Sequence, residues 1–368
     1  MNREKKYRVI IGGGGTGGHV FPAISIANAL CDSDDDVQIL FVGAKGKLET
    51  EKVPEAGYEI KGLPVAGFQR RLTWKNVTFF FKLMKSLSMS RKIIKEFKPD
   101  VVVGVGGYAS GPILKAAGRR GIPTLIQEQN SYAGVTNKLL SAKAAKICVA
   151  YEGMDKYFPA EKIILTGNPT RQNLVLPANK KKASIDHFKL DQGKKVVLLI
   201  GGSLGARTLN ESILSGIEKI KESNIQLLWQ CGSYYFSEAE KALKESAAQN
   251  IVLVPFIKEM NKAFQVADVI ISRAGAGTIS ELCIVGKPVI LVPSPNVAED
   301  HQTSNAKSLS TQQAAVLIAD KDAKEDLVNE VIALVGDSVR KKNLSLNISK
   351  LAIKDSAQRI IKEVKKLV

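Results

Sequence analysis

Tyr7-Arg8-Val9-Ile10-Ile11-Gly12-Gly13-Gly14-Gly15-Thr16-Gly17-Gly18-His19 reads as a short buried strand that runs into a glycine turn and then a helix. The same rhythm returns at Val196–Ile200 followed by Gly201-Gly202-Ser203-Leu204-Gly205-Ala206-Arg207. It returns again at Val269–Ser272 followed by Arg273-Ala274-Gly275-Ala276-Gly277-Thr278-Ile279-Ser280-Glu281. Further apolar runs at Val37–Val42, Val101–Val105, Thr124–Gln127 and Val289–Val292 are separated by amphipathic stretches, the pattern of βαβ units on a parallel sheet. The fold class is therefore α/β, with two Rossmann-like halves.

A length of 368 residues exceeds one ordinary core and fits two such domains. The turn residues of Thr166-Gly167-Asn168-Pro169-Thr170-Arg171, ahead of the polar stretch Ala178–Asp191, place the junction near residue 168. The expected domains are 1–168 and 169–345, with a ligand cleft between them. The last segment, 346–368, has helical spacing through Leu346, Ile353, Ala357, Ile360, Ile361, Val364 and Val368 and is expected to cross back onto the first domain.

Composition narrows the function classes. A hydrophobic content of 45% and a mean hydropathy of −0.02 belong to a globular chain, because disordered chains lack the apolar surface to offset chain entropy. Cys31, Cys148, Cys231 and Cys283 show no paired spacing, which argues against a disulfide framework or zinc knuckle and suits a reducing compartment. The start has too short an apolar run for a secretory signal, and no run approaches the roughly 18 apolar residues of a bilayer span. A formal charge of +17 indicates an anionic partner: nucleic acid, anionic lipid or a phosphorylated substrate. No helix-turn-helix, zinc or stacking signature supports nucleic acid.

The glycine turns suit phosphate, since glycine lets backbone amides approach a ligand while the following helix presents unsatisfied N–H groups. Gly12, Gly14 and Gly17 satisfy G-x-G-x-x-G, but the second strand ends Phe41-Val42-Gly43-Ala44-Lys45 without the acid that a dinucleotide ribose needs. NAD or FAD is disfavoured, and glycines used only for a tight turn remain the bland alternative. At the third turn a diphosphate fits the amides of Ala276, Gly277 and Thr278. Glu281, one helical turn on, either accepts from both ribose hydroxyls or is an ordinary dipole-stabilised glutamate.

Eight ordered blocks, Gly13–Pro22, Phe41–Glu49, Gly104–Pro112, Gln127–Asn137, Gly167–Arg171, Gly201–Asn210, Ser272–Glu281 and Glu299–Ala306, resemble the MurG family of UDP-N-acetylglucosamine transferases of peptidoglycan synthesis and cell-wall biogenesis. The resemblance implies a GT-B fold, an inverting transfer, no cofactor and no obligatory metal. Its acceptor is undecaprenyl-pyrophosphoryl-N-acetylmuramoyl-pentapeptide (lipid I, converted to lipid II). It implies donor contacts from Thr16, Gly17, Gly18, Asn130, Arg171, Ser203, Ile257, Ala276, Gly277, Thr278, Glu281 and Gln302. Acceptor contacts would come from Thr16, His19, Gly106, Gly107, Tyr108, Gln129, Asn130 and Asn137, with Glu128 as acceptor-side support. Gly277 stands where relatives often carry a larger apolar residue, and His301 occupies a variable position. A diacylglycerol glycosyltransferase and a UDP-sugar 2-epimerase on the same fold are the alternatives.

An inverting transfer needs a base and stabilisation of the departing UDP. His19 is the candidate base; its place at a helix start disfavours imidazolium, whereas a nearby acceptor pyrophosphate favours it. It is otherwise a phosphate or loop contact. Arg171 and the Ala276–Thr278 amides are expected to meet the leaving group, with Arg273 in support. Asp32-Ser33-Asp34, with Asp35 and Asp36, reads as a solvated turn rather than a metal site.

Between Gly67 and Lys98 nine basic residues face the single Glu96, interleaved with aromatic and aliphatic side chains. Such a segment suits peripheral contact with an anionic membrane surface, here the cytoplasmic face of the cell membrane. If half of those charges reach the leaflet, the attraction is roughly 4 to 5 kcal/mol. Trp74, Phe81, Arg70, Arg71 and Lys75 are the expected lipid contacts. Phe80, Leu83, Met84 and Leu87 are expected to form a core-facing stripe.

Overall fold

The computed structural model describes residues 7–34, 36–65, 74–171, 173–202, 204–297 and 300–368, with the backbone alone for 74–78. The chain forms two compact units, one running to Thr170 and completed by Lys354–Val368, the other Arg171–Ile353. The first contains β1 (Arg8–Gly12), α1 (Gly17–Ser33), β2 (Gln38–Ala44), α2 (Glu49–Glu55), β3 (Glu59–Leu63), α3 (Trp74–Phe97), β4 (Val101–Gly104), α4 (Ser110–Gly118), β5 (Thr124–Glu128), α5 (Val135–Ser141), β6 (Lys146–Val149) and β7 (Ile163–Leu165). Its sheet is parallel, in the order β3-β2-β1-β4-β5-β6-β7.

The strands are apolar because both sheet faces are covered. Val9 and Ile11 of β1 pack with Val20, Ile26 and Leu30 of α1 on one face. Ile10, one residue out of phase, packs on the other face with Ile94 of α3 and Ile113 of α4.

The second unit contains α6 (Lys181–His187), β8 (Lys195–Ile200), α7 (Arg207–Ser215), α8 (Ile217–Glu222), β9 (Ile225–Gln230), α9 (Phe236–Ser246), β10 (Ile251–Val254), α10 (Met260–Val266), β11 (Val269–Ser272), α11 (Ala276–Val285), β12 (Val289–Leu291), α12 (His301–Ser310), β13 (Val316–Leu317), α13 (Ala323–Gly336) and α14 (Ser338–Lys350). Its parallel sheet runs β10-β9-β8-β11-β12-β13, the same winding as the first. Val197 and Leu199 face one core while Val196, Leu198 and Ile200 face the other.

The single helix expected over 346–368 is two. Ile348, near the end of α14, is buried in the core of the second unit, whereas Ile360, Ile361 and Val364 of α15 (Ser356–Lys365) pack with α1 in the first. One straight helix cannot serve two separate cores, and the chain breaks between Leu351 and Asp355.

The stripe expected on α3 is also corrected. Leu87 is buried and Leu83 half-buried, but Phe80 and Met84 are 59% and 51% exposed. The buried face instead runs through Ser86, Leu87, Ser90, Ile93 and Ile94. Its two serines let α3 lie close to α4. Phe81 is 69% exposed. No helix among the described residues is long and apolar enough to cross a membrane. Burial pushes the Cys148 and Cys283 thiols up to about 12, so they stay protonated at neutral pH.

Candidate functional site

In each unit the first and fourth strands of the winding lie side by side, and the connections leave them in opposite directions. Ligands of open α/β sheets gather beyond the carboxyl ends of strands at this switch point. In the first unit β1 and β4 pair through Gly12 and Gly104. The loops that follow, 13–16 and 105–109, press together so closely that a Cβ on Gly107, at φ +79°, would lie 2.2 Å from the Gly14 carbonyl oxygen. Glycine is required there on both counts.

His19 stands in the first turn of α1, half-buried, with its Nδ1 hydrogen-bonded to the Thr16 hydroxyl at 3.1 Å. The Nε2 edge of the ring lies over Gly106, where a Cβ would come within 2.9 Å. Thr16 is the N-cap of α1, yet its side chain serves the histidine rather than the helix. The N–H groups of Gly17 and Gly18 have no partner among the described residues, which leaves an anion-ready helix start beside the ring.

Sequence reasoning assigned no role to Glu49, at the start of α2. It is 1% exposed, and its two carboxylate oxygens accept from Gly15 N at 2.9 Å and Ala44 N at 2.7 Å. The carboxylate thus ties the glycine loop to the end of β2. The available signal was an acid placed five residues past a strand end, inside a block already singled out. Replacing Glu49 with alanine strands two amides, at a cost of about 3 kcal/mol. A thermal melt is expected to drop by several degrees, less for Glu49→Gln, which keeps one acceptor.

Glu128, at the end of β5, is likewise internal. Its Oε1 accepts from Asn130 N at 3.1 Å, and its Oε2 from Gly134 N at 2.9 Å and Asn137 Nδ2 at 2.8 Å. Asn137 is 3% exposed, so the structure brings these two residues to each other and shapes the 129–134 loop with them. Gln129 and Gln127 form a second buried cluster with Asn168, whose Nδ2 donates to the Gln129 carbonyl at 2.9 Å. Tyr108 is 57% exposed.

In the second unit the switch point lies between β8 and β11, paired through Ile200 and Ser272. Gly275 caps α11 with extended backbone, so Ala276, Gly277 and Thr278 form its first turn at the carboxyl edge of the sheet. Glu281 follows one turn later and is nearly buried. Arg171 grips it fork to fork, Nε donating to Oε1 at 2.8 Å and the second guanidinium nitrogen to Oε2 at 3.1 Å. Both oxygens expected to take ribose hydroxyls therefore already hold a cation.

Ile257 is buried, and its N–H donates to Gln230 Oε1 at 3.0 Å. Gln230 Nε2 in turn donates to the Gly202 carbonyl at 2.9 Å. This buried glutamine at the end of β9, unmarked in the sequence, pins the loops after β8 and β10 at once. Gln302, at the start of α12, accepts from Ser294 N at 2.9 Å.

Arg273, expected to stand in support behind the donor turn, is held by protein groups. Its guanidinium bonds the Val292 carbonyl at 3.0 Å and Asp320, which also accepts from the Thr208 hydroxyl at 2.9 Å. It knits the ends of the sheet together. Ser203, Arg70 and Arg71 lie outside the described residues, as do the side chains of Trp74 and Lys75.

The glycosyltransferase family 28 N-terminal domain model matches residues 9–149 and the family 28 C-terminal domain model matches 196–361. A Parabacteroides distasonis protein named UDP-N-acetylglucosamine–N-acetylmuramyl-(pentapeptide) pyrophosphoryl-undecaprenol N-acetylglucosamine transferase is 56% identical over 99% of both chains. One of the same name from Phocaeicola vulgatus is 57% identical, over 99% of this chain and 97% of the relative. Among solved structures, Acinetobacter baumannii MurG superposes with a TM-score of 0.79 at 28% identity, covering 98% of this chain and 99% of that one. A UDP-GlcNAc 2-epimerase from Neisseria meningitidis shares the fold, with a TM-score of 0.68 at 15% identity, covering 98% of this chain and 99% of that one. Two Rossmann-like parallel sheets, each with a glycine turn leading into a helix at its switch point, are thus met by relatedness along nearly the whole chain, and the protein belongs to glycosyltransferase family 28, in its MurG branch.

Proposed function

We infer that this protein transfers N-acetylglucosamine from UDP-N-acetylglucosamine to N-acetylmuramyl-(pentapeptide) pyrophosphoryl-undecaprenol, the reaction its relatives are named for. The observation within this chain that carries the reading is the start of α11, where first-turn amides stand one turn from a nearly buried carboxylate paired to a single arginine. Donor binding exchanges partners there: the ribose hydroxyls replace Arg171 on Glu281, and the released guanidinium turns to the diphosphate. Arg171 is suited to the exchange because its side chain is 59% exposed while that of Glu281 is 11% exposed.

Chemistry then proceeds by attack of the acceptor hydroxyl on the anomeric carbon from the face opposite UDP. As that bond forms, the hydroxyl proton passes to His19 Nε2 and the bond to UDP breaks. With the ring proton on Nδ1, donated to Thr16, Nε2 keeps the lone pair that the step needs. Charge developing on UDP meets the Ala276–Thr278 amides and Arg171, so the transfer runs without metal or cofactor. The acceptor pyrophosphate lies at the amides of Gly17 and Gly18 and the Gly106-Gly107 turn.

Incubating labelled UDP-N-acetylglucosamine with the polyprenyl acceptor, with diacylglycerol, or with no acceptor tests the reading. Product with the first alone is expected; sugar on diacylglycerol, or an epimerised sugar nucleotide without acceptor, would overturn it.

The protein acts as a peripheral enzyme at the cytoplasmic face of the cell membrane. Support comes from the exposed Phe80, Phe81 and Met84 on a helix rich in lysine and arginine. Sedimentation with vesicles is expected for anionic but not neutral lipid and weakens as salt is raised.

A further inference from the structure

A stack of close contacts runs from the Glu49 carboxylate to the His19 ring. Glu49 lies between two glycines: a Cβ on Gly43 of β2 would come within 2.5 Å of its Cγ, and one on Gly14 within 2.1 Å of its Oε1. Both positions exclude a side chain because the glutamate fills the space between them. On the far side of the loop the Gly14 carbonyl packs against Gly107, and Gly106 lies under the His19 ring. Each layer sets the height of the next, from strand end through carboxylate, glycine loop and 106–107 turn to imidazole.

Glu49 also governs which amides the loop offers. Gly13 N–H donates to the Val42 carbonyl at 3.1 Å and Gly15 N–H to Glu49 Oε2 at 2.9 Å, so both point into the protein. Those of Gly17 and Gly18 have no partner among the described residues. Thr16, between the two sets, holds His19 Nδ1 at 3.1 Å. Four consecutive glycines, Gly12 to Gly15, do not fix such a turn by their own preference, and an anchor from outside the loop must do so.

We propose that Glu49 is a positioning residue for the transfer. It fixes the glycine loop so that Thr16 holds the His19 ring toward the reacting hydroxyl and the Gly17 and Gly18 amides face the acceptor pyrophosphate. The proposal rests on the acceptor and base assignments made above. At 1% exposed, Glu49 acts through the loop and not by touching a substrate. A carboxylate suits the task because its two oxygens accept from amides of two different segments, whereas a glutamine has one acceptor oxygen and sets its NH2 against a backbone N–H.

Glu49→Gln in the full-length enzyme, assayed with the polyprenyl acceptor and labelled UDP-N-acetylglucosamine, provides the test. With both substrates saturating, kcat is expected to fall about tenfold, the scale of one hydrogen bond to a charged group. UDP affinity by calorimetric titration is expected to hold, because the nucleotide is assigned chiefly to α11 of the second unit. A purely structural tie could lower kcat as well, so the deciding measurement is a double-mutant cycle with Thr16→Val. In that background the ring has already lost the partner that Glu49 keeps in place, and the effect of Glu49→Gln on kcat is expected to shrink to about threefold or less. Should the glutamine variant fail to melt cooperatively, Gly43→Ala carries the same cycle, since its methyl group pushes the glutamate from the strand side and leaves the loop sequence intact.

Turnover of Glu49→Gln within about twofold of the unaltered enzyme overturns the proposal. So does an equal loss of kcat in both backgrounds, which would make Glu49 a structural tie alone, or a parallel fall in UDP affinity, which would mark a lesion spread through the chain. If the unaltered enzyme leaves the acceptor unglycosylated, or if His19→Ala alone turns over within a few fold of it, the earlier assignments fail. Both of those results are read without any change at Glu49.

Discussion

Glu281→Ala is expected to lower kcat/KM for the sugar nucleotide by roughly a hundredfold to ten-thousandfold, and to weaken UDP binding in parallel. The size follows from two hydrogen bonds to a charged acceptor, each contributing about 1.5 to 3 kcal/mol when formed out of bulk water. Because the carboxylate is nearly buried, water replaces it poorly; because Arg171 is mostly exposed, its loss of a partner is cushioned by solvent. The damage therefore falls on the ligand more than on the fold, and the melting temperature is expected to move little. Glu281→Gln keeps one acceptor oxygen and introduces a donor, so an intermediate loss is expected. Calorimetric titration with UDP reads the effect without needing any acceptor. Unchanged UDP affinity in the alanine variant would remove Glu281 from the donor site.

His19→Ala is expected to reduce kcat by about a hundredfold to ten-thousandfold, the range for loss of a positioned general base. KM for the donor is expected to hold. Thr16→Val probes the same group from behind: the ring stays but loses its Nδ1 partner at 3.1 Å, and a smaller fall in kcat is expected. Turnover of His19→Ala within a few fold of the unaltered enzyme would make the histidine a loop or phosphate contact only.

Some of these residues were open to sequence reasoning because their signals are local. A run such as Val9-Ile10-Ile11 before glycine marks a strand meeting a phosphate turn, since strand burial and positive φ are properties of adjacent residues. His19, Gly106, Gly107, the Ala276–Thr278 turn and Glu281 all stand in such stretches, and the structure sets each at the carboxyl edge of a sheet. Glu49 and Gln230 were not legible. Each acts on backbone that arrives from elsewhere: Gly15 lies 34 residues from Glu49, and Gly202 and Ile257 lie 28 and 27 residues either side of Gln230. No period or spacing announces such a bond.

The exposed surface of α3 went astray for a related reason. Phe80, Leu83, Met84 and Leu87 satisfy helical spacing, but spacing names a face without naming its neighbour, and α4 packs against the serine-bearing side.

By itself, the order of residues determined the α/β class, the paired winding of two parallel sheets and the turns ready for phosphate, because hydrophobic period and glycine placement act over a few neighbours. Tertiary structure alone decided that the terminal segment divides between two cores and that Arg171 closes on Glu281. It alone decided that Arg273 faces inward to Asp320 and that Glu49 reaches the glycine loop. Those outcomes depend on which surfaces meet, and contacts between residues a hundred positions apart follow from packing rather than from pattern.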